Sequence, residues 1–289
     1  MIDYQSIFID AYRWATMPLR TAYSRKAAKD RLVPIGLLFY HRISNEWPNA
    51  WTMSELDFER QIDWLSANFE LISLEETQKR ITVTGNDTPA ISITFDDGYA
   101  DNCRRAIPML LERSIPFTYF VTLDNLVKGT PFQHDVDLGR PLWPNSIETI
   151  KVMAQAGVEI GSHTRTHRDL GTIHDEEVLF DEVVVATREL EELIGKRIRY
   201  FAFPFGREIN LNQRVFAMAQ EHGFEGVCST IHEWNSIGGD AFHLKRFHGD
   251  PNFARLRNWL TFDPRLRCST GATELRSSDL ANPASNSGS

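Results

Sequence analysis

Between Ile35 and Phe247 the chain alternates short apolar runs with helical patterns, and this alternation narrows the fold more than any other feature. The runs are Ile35–Tyr40, Ala90–Phe95, Phe117–Val121, Val158–Gly161, Tyr200–Phe203, Gly226–Ser229 and Phe242–Phe247. Short apolar runs of this kind read as strands buried on both faces. Helical patterns fall at Glu55–Asn68, Leu74–Ile81, Arg104–Arg113, Ser146–Ala156, Asp175–Ile194 and Leu211–His222. Gly157, Gly195 and Gly223 each follow a helical stretch, where a left-handed cap is wanted. Such alternation gives a mostly parallel sheet with helices outside, open or closed into a barrel, and one unbroken series of seven runs favours the barrel. Active sites in these folds gather at the carboxyl ends of the strands.

The chain has 289 residues, enough for one large domain or two small ones, and its composition is that of a soluble globular protein. A net charge of −8 argues against a nucleic-acid partner. Cys103, Cys228 and Cys268 are far apart and show no metal or disulfide spacing, so reduced thiols and a cytoplasmic location are expected. No apolar run approaches the ~20 residues that span a bilayer. Asp3 and Asp10 interrupt the amino-terminal segment, which therefore does not read as a signal peptide. Residues 1–34 are expected to form a helical extension that packs on the domain through a loose apolar face of Ile7, Phe8, Ala11, Tyr12, Trp14 and Ala15, followed by the basic cluster Arg20, Arg25, Lys26, Lys29 and Arg31, with a peripheral membrane contact through residues 1–31 as the alternative. The barrel is placed at 35–262 and a disordered tail at 263–289. Residues 122–145 read as a long rim loop.

Two adjacent carboxylates, Asp96 and Asp97, end the run Ile91–Phe95 and precede Gly98. At a strand end two neighbouring side chains can diverge, one toward a metal and one toward a water. A later run, Val158–Gly161, leads into Ser162-His163-Thr164-Arg165-Thr166-His167. One Asp with His163 and His167 makes a three-ligand set that leaves room for water on a divalent ion such as Zn²⁺. The ion lowers the pKa of its water from 15.7 to about 7, and the second Asp can take the proton. Singly, each feature has a plainer reading, a helix cap or a surface His. Their meeting at matching strand ends favours a metal-dependent hydrolase.

The Thr94-Phe95-Asp96-Asp97-Gly98 motif with His163-x-x-x-His167 resembles the polysaccharide deacetylases of carbohydrate esterase family 4, with the NodB-homology domain. Tyr40-His41-Arg42 and Phe201-Ala202-Phe203-Pro204-Phe205-Gly206 extend the resemblance over roughly residues 35–250. It implies a distorted (β/α)₇ barrel and metal-assisted removal of an N-acetyl or O-acetyl group from a sugar. By it Asp96 is the general base, and Asp97, His163 and His167 hold one divalent metal, Zn²⁺ or alternatively Co²⁺, Ni²⁺, Mn²⁺ or Fe²⁺. Pro204 and Phe205 form the groove wall, and the Phe205 N–H holds the oxyanion. An acetylated glycan or lipid-linked sugar is the implied substrate.

Two departures from the family pattern bear on mechanism. Ala202 stands where an Arg would orient the base, leaving Arg42 and Arg246 as candidates to replace it. Arg246 also stands where a Leu-x-His motif would supply the general acid, so His248, two residues on and on the same strand face, is the candidate acid. Glu233-Trp234 faintly echoes the Asp-Trp pair that positions the acid. His41, Arg246 and Trp234 are further candidates to line the substrate pocket. His134, Asp135 and Asp137 read as a solvated loop, while Trp47, Trp51 and Trp143 could stack on sugars or pack in the core. The alternatives are an O-acetyl esterase, a non-haem iron oxygenase built on the same three ligands, and a barrel that binds glycans without turnover.

Overall fold

The computed structural model describes residues 4–266. The expectations on Asp3, on Cys268 and on the tail beyond Leu266 lie outside the described residues. Eight parallel strands form the main sheet: β1 (Gly36–Tyr40), β2 (Ala90–Phe95), β3 (Phe117–Val121), β4 (Glu159–Ser162), β5 (Tyr200–Ala202), β6 (Gly226–Ser229), β7 (His243–Lys245) and β8 (Phe247–His248). Their order is β7-β6-β5-β4-β3-β2-β1-β8, and Glu70–Leu71 pairs with the amino end of β2. All seven expected runs are strands. The last differs, because Phe242–Phe247 is split at Arg246.

That split closes the barrel. β7 pairs with β6, Leu244 opposite Cys228, while β8 pairs with β1, Phe247 opposite Leu38. Consecutive residues thus join the two edges of the sheet, which becomes a distorted seven-membered (β/α) barrel with no long free edge. Tyr40 lies beside Phe95, Val121 beside Ser162 and Ala202 beside Cys228. The carboxyl ends of the strands therefore open at one mouth. The strands are buried on both faces, as their apolar, β-branched composition requires.

The longer helices are α1 (Tyr4–Ala15), α2 (Met17–Asp30), α3 (Glu55–Asn68), α4 (Ala106–Glu112), α5 (Ile147–Gln155), α6 (Ala186–Ile194), α7 (Gln213–Glu221) and α8 (Phe253–Leu260). Side chains cap several of them: Ser54 accepts from the Asp57 N–H, and Ser146 from the Thr149 N–H. The helix expected at 175–194 is interrupted by a wide turn at Asp181–Val185. The rim loop contains two short helices, Leu123–Lys128 and Gln133–Asp137. The amino-terminal helix breaks at Thr16, ahead of Pro18, which fits the first turn of a new helix because its nitrogen has no proton to leave unpaired. α1 and α2 pack beside α8, where the Arg20 guanidinium donates to the Asn258 side chain and backbone at 2.6 and 2.7 Å. The ordered chain passes the expected boundary at 262, since Asp263 is buried and accepts from Tyr12 and Asn258. No helix among the described residues is long and apolar enough to cross a membrane.

Candidate active site

Asp96 and Asp97 leave β2 at the mouth, both almost wholly buried (2% and 4% exposed). The backbone turns at once: Asp97 is left-handed (φ 71°) and Gly98 follows at φ 76°. Asp tolerates this region better than most residues, and Gly more easily still. The turn sends the two carboxylates to different neighbours. The Asp96 carboxylate lies on Arg246, whose Nη1 and Nη2 donate to Oδ1 at 2.7 Å and Oδ2 at 2.9 Å. Asp97 Oδ1 faces the Nε2 atoms of His163 at 3.4 Å and His167 at 3.2 Å.

His163 follows β4 directly. Its Nδ1 donates to the Ala202 carbonyl at 2.8 Å, which fixes the tautomer and leaves Nε2 free to face Asp97. His167 arrives on the loop after β4, where the Thr164 hydroxyl accepts from the His167 N–H at 2.9 Å. Thr164 and His167 are both left-handed, φ 68° and 59°. Such conformations cost of order 1–3 kcal/mol each and persist only where surrounding contacts enforce them. Glu182 supplies that enforcement. It is buried, and its carboxylate accepts from the Thr166 N–H at 2.9 Å and from the Thr166 hydroxyl.

The three ligand atoms of Asp97, His163 and His167 lie within 4.8 Å of one another. Asp97 Oδ1 is buried with no hydrogen-bond donor among the described residues. Burial opposes charge on Asp97, yet the two imidazoles hold its carboxyl well below the usual range. Burial would likewise lower His163, but Asp97 and Asp96 raise its affinity for a proton. One carboxylate and two imidazole nitrogens around a buried, undonated oxygen fit a divalent cation, which would take the proton's place.

Arg246 corrects one expectation. It is completely buried, so it is not a groove residue that touches sugar. Its guanidinium lies against Phe39 and Phe120 and also donates to Thr94 Oγ1 at 3.0 Å and the Ser229 carbonyl at 3.0 Å. It is the guanidinium that lies on Asp96, where Ala202 offers none. Burial opposes ionisation of Asp96, but Arg246, with His163, outweighs it and holds the carboxyl below the ordinary value. Arg42, the other candidate, is engaged by Asp101 at 2.6 Å and by the Glu46 and Trp47 carbonyls.

His41 follows β1 and is gripped through its backbone. Asn102 Nδ2 donates to the His41 carbonyl at 2.7 Å, and Asn102 Oδ1 accepts from the Ile43 N–H at 2.8 Å. His41 Nδ1 is buried without a partner among the described residues. Burial lowers its proton affinity, while Asp97 and Asp96 pull it upward. His248 stands beside it, ring centres 6.2 Å apart. Burial and then the His41 charge lower His248 to about 4, and the carboxylate acting on it is Asp250. Of the two, His41 is the imidazole whose proton affinity the Asp97 and Asp96 charges raise.

Phe205 is left-handed (φ 60°) and exposed at the mouth between Pro204 and Gly206, its ring 5.2 Å from that of His167. Its carbonyl accepts from the Thr230 hydroxyl at 2.7 Å, and its N–H makes no intramolecular bond among the described residues. Trp234 is not a groove residue. It is buried at the opposite end of the barrel, against Gly36 and stacked on Phe262, because Asn235 pairs with Ile35 ahead of β1. The rim loop brings Phe132 and His134 over His167, with ring centres 5.3 Å (Phe132) and 6.1 Å (His134) from it. Asp135 is buried, not solvated, and accepts from the Tyr99 hydroxyl at 2.9 Å. Sequence reasoning missed Glu182 and Asn102 as positioning residues. The visible signal for Glu182 was an acid on the same helical face as Leu179 and Val183.

Comparison with known proteins agrees with this geometry. Residues 84–227 match the family model described as polysaccharide deacetylase. YxkH from Bacillus subtilis (strain 168), named as a candidate polysaccharide deacetylase, is 26% identical over 207 residues, 71% of this chain and 67% of that protein. The Streptococcus pyogenes deacetylase PplD, solved with acetate, shares the fold with a TM-score of 0.65 at 21% identity, covering 78% of this chain and 97% of that one. IcaB from Ammonifex degensii does so with a TM-score of 0.66 at 24% identity, covering 79% and 97%. The matched segment carries both strand-end motifs, and the shared barrel is the one they require: this chain belongs to the polysaccharide deacetylase family, carbohydrate esterase family 4 with the NodB-homology domain.

Proposed function

We propose that the protein hydrolyses the N-acetyl group of an N-acetylhexosamine in a glycan or glycan precursor. The observation that carries this reading is the convergence of Asp97, His163 and His167 beside a second carboxylate, Asp96, that Arg246 keeps ionised. A divalent ion, Zn²⁺ by the donor set, would be held by Asp97, His163 and His167, and when bound it acidifies water and polarises a carbonyl. Asp96 takes the proton of the attacking water. Water oxygen bonds to the acetyl carbon, and the Phe205 N–H donates to the oxygen that gains charge, a contribution of about 3 kcal/mol for a well-placed donor. The carbon–nitrogen bond then breaks, the amine needs a proton, and acetate leaves. We assign that proton to His41 in place of His248, since His41 is the imidazole that feels both site carboxylates.

Arg246 in the orienting position supports turnover over a barrel that only binds glycans. Acetate release should be measured on acetylated chitooligosaccharides, peptidoglycan and surface-polysaccharide intermediates, with O-acetylated sugars alongside to separate amide from ester cleavage. Asp96→Asn should lower kcat by about 10²–10⁴-fold. His41→Ala should lower it by a similar factor and His248→Ala by less than about tenfold. Equal acetate release by Asp96→Asn and the parent would show that the base is misassigned.

A further inference from the structure

We propose that α1 and α2 form a docking surface for an anionic lipid bilayer. α1 turns polar groups inward and apolar groups outward, the reverse of an ordinary surface helix. Against α8 lie Ser6 on Asn252 at 3.3 Å, Asp10 on Arg257 at 3.2 Å and Tyr12 on Asp263 at 3.1 Å. On the opposite face Tyr4, Ile7, Phe8, Ala11 and Trp14 recur at helical spacing, with Phe8 74% and Trp14 66% exposed. Exposed aromatic and aliphatic groups gathered on one helix face are uncommon on a free protein surface and mark an interaction site.

Charge selects the occupant. The whole chain carries −8, yet residues 1–31 hold six basic and three acidic side chains. On α2, Arg25, Lys26 and Lys29 are exposed and make no ion pair among the described residues. The acid on α2 is Asp30, at its end. α2 also places Leu19, Tyr23 and Lys26 on a cleft of about 770 Å³ against Ile237 and Phe262. An apolar helix face with unpaired cations close by in the chain is the composition that settles at the boundary between acyl chains and anionic headgroups. A bilayer so bound would lie along the flank of the barrel. The amino end of α1 is near the mouth, because Asn252 follows β8 by only a few residues.

The test is co-sedimentation of the full chain with vesicles. The protein should bind phosphatidylcholine vesicles containing about one quarter phosphatidylglycerol, and at least about tenfold more weakly without it. Raising salt to about 0.5 M should release it. Phe8→Ser with Trp14→Ser should weaken binding at least about tenfold through lost apolar burial. Lys26→Glu with Lys29→Glu should cost more than about fivefold per cation. All four side chains are exposed, so circular dichroism should be unchanged in both variants. The proposal is overturned if the two lipid compositions bind equally, if both variants bind like the parent, or if sedimentation without lipid shows a dimer that the Phe8/Trp14 variant dissolves.

Discussion

The two oxygens of Asp96 both face the Arg246 guanidinium, and both side chains are buried. A buried pair of this kind stabilises little in net terms, because desolvation offsets attraction, but removing one partner strands the other. Arg246→Met should therefore destabilise the fold by about 3–5 kcal/mol, read from urea unfolding. It should also lower kcat by roughly 100-fold through misplacement of the base. Adding Asp96→Asn to Arg246→Met should recover most of the stability and none of the activity. A double variant as unstable as the single one would mean that Arg246 acts through packing on Phe39 and Phe120 alone. The motif residues were legible singly, since Asp96, Asp97, His163 and His167 announce themselves by type and spacing. The partner of Asp96 was legible only as a choice between Arg42 and Arg246, because the 150 positions that separate Arg246 from Asp96 are bridged only by barrel closure.

At the scale of the element, the loop after β4 carries one candidate metal ligand, His167, on a backbone that no isolated peptide would hold. Thr164 and His167 stay left-handed because Glu182, on the wide turn at Asp181–Val185, fastens the intervening Thr166. Glu182→Gln should leave the barrel folded and weaken metal retention by about 10–100-fold, measured by competition with a chelator. Unchanged retention would show that the Thr164 hydroxyl suffices. The helix expected over Asp175–Ile194 was right in extent and wrong in regularity, since a periodic pattern cannot show where one extra residue is inserted. Likewise the 122–145 segment read as a loop because its helices, Leu123–Lys128 and Gln133–Asp137, are too short to show a period.

Across the whole molecule, burial pushes His232, His243 and His248 down to about 4. In the unfolded chain each returns to an ordinary value near 6.5. The unfolded state then binds protons first as pH falls, so stability is complete above about 6.5 and declines down to about 4, by about 1.4 kcal/mol per pH unit for each group. Asp96 and Asp97, held low, lose their contribution only below that window. His163, held high, acts above it. Urea unfolding between pH 7.5 and 4.5 should show the decline, and His243→Gln should make it shallower. An unaltered slope would mean that His243 takes up its proton in the folded protein as readily as in the unfolded one.

What the sequence determined by itself was local. Hydrophobic period fixed the strands and most helices, and the two strand-end motifs fixed the family and the candidate ligands, because both signals lie within a few residues of chain. The tertiary structure decided what depends on neighbours in space. It closed the barrel at Arg246 and so placed that side chain on Asp96. It drew Trp234 beneath the barrel and set the His41 and His248 rings 6.2 Å apart. It also turned the apolar face of α1 outward, which helical spacing alone cannot orient. Period and motif report which residues share a face. Only packing reports what that face meets.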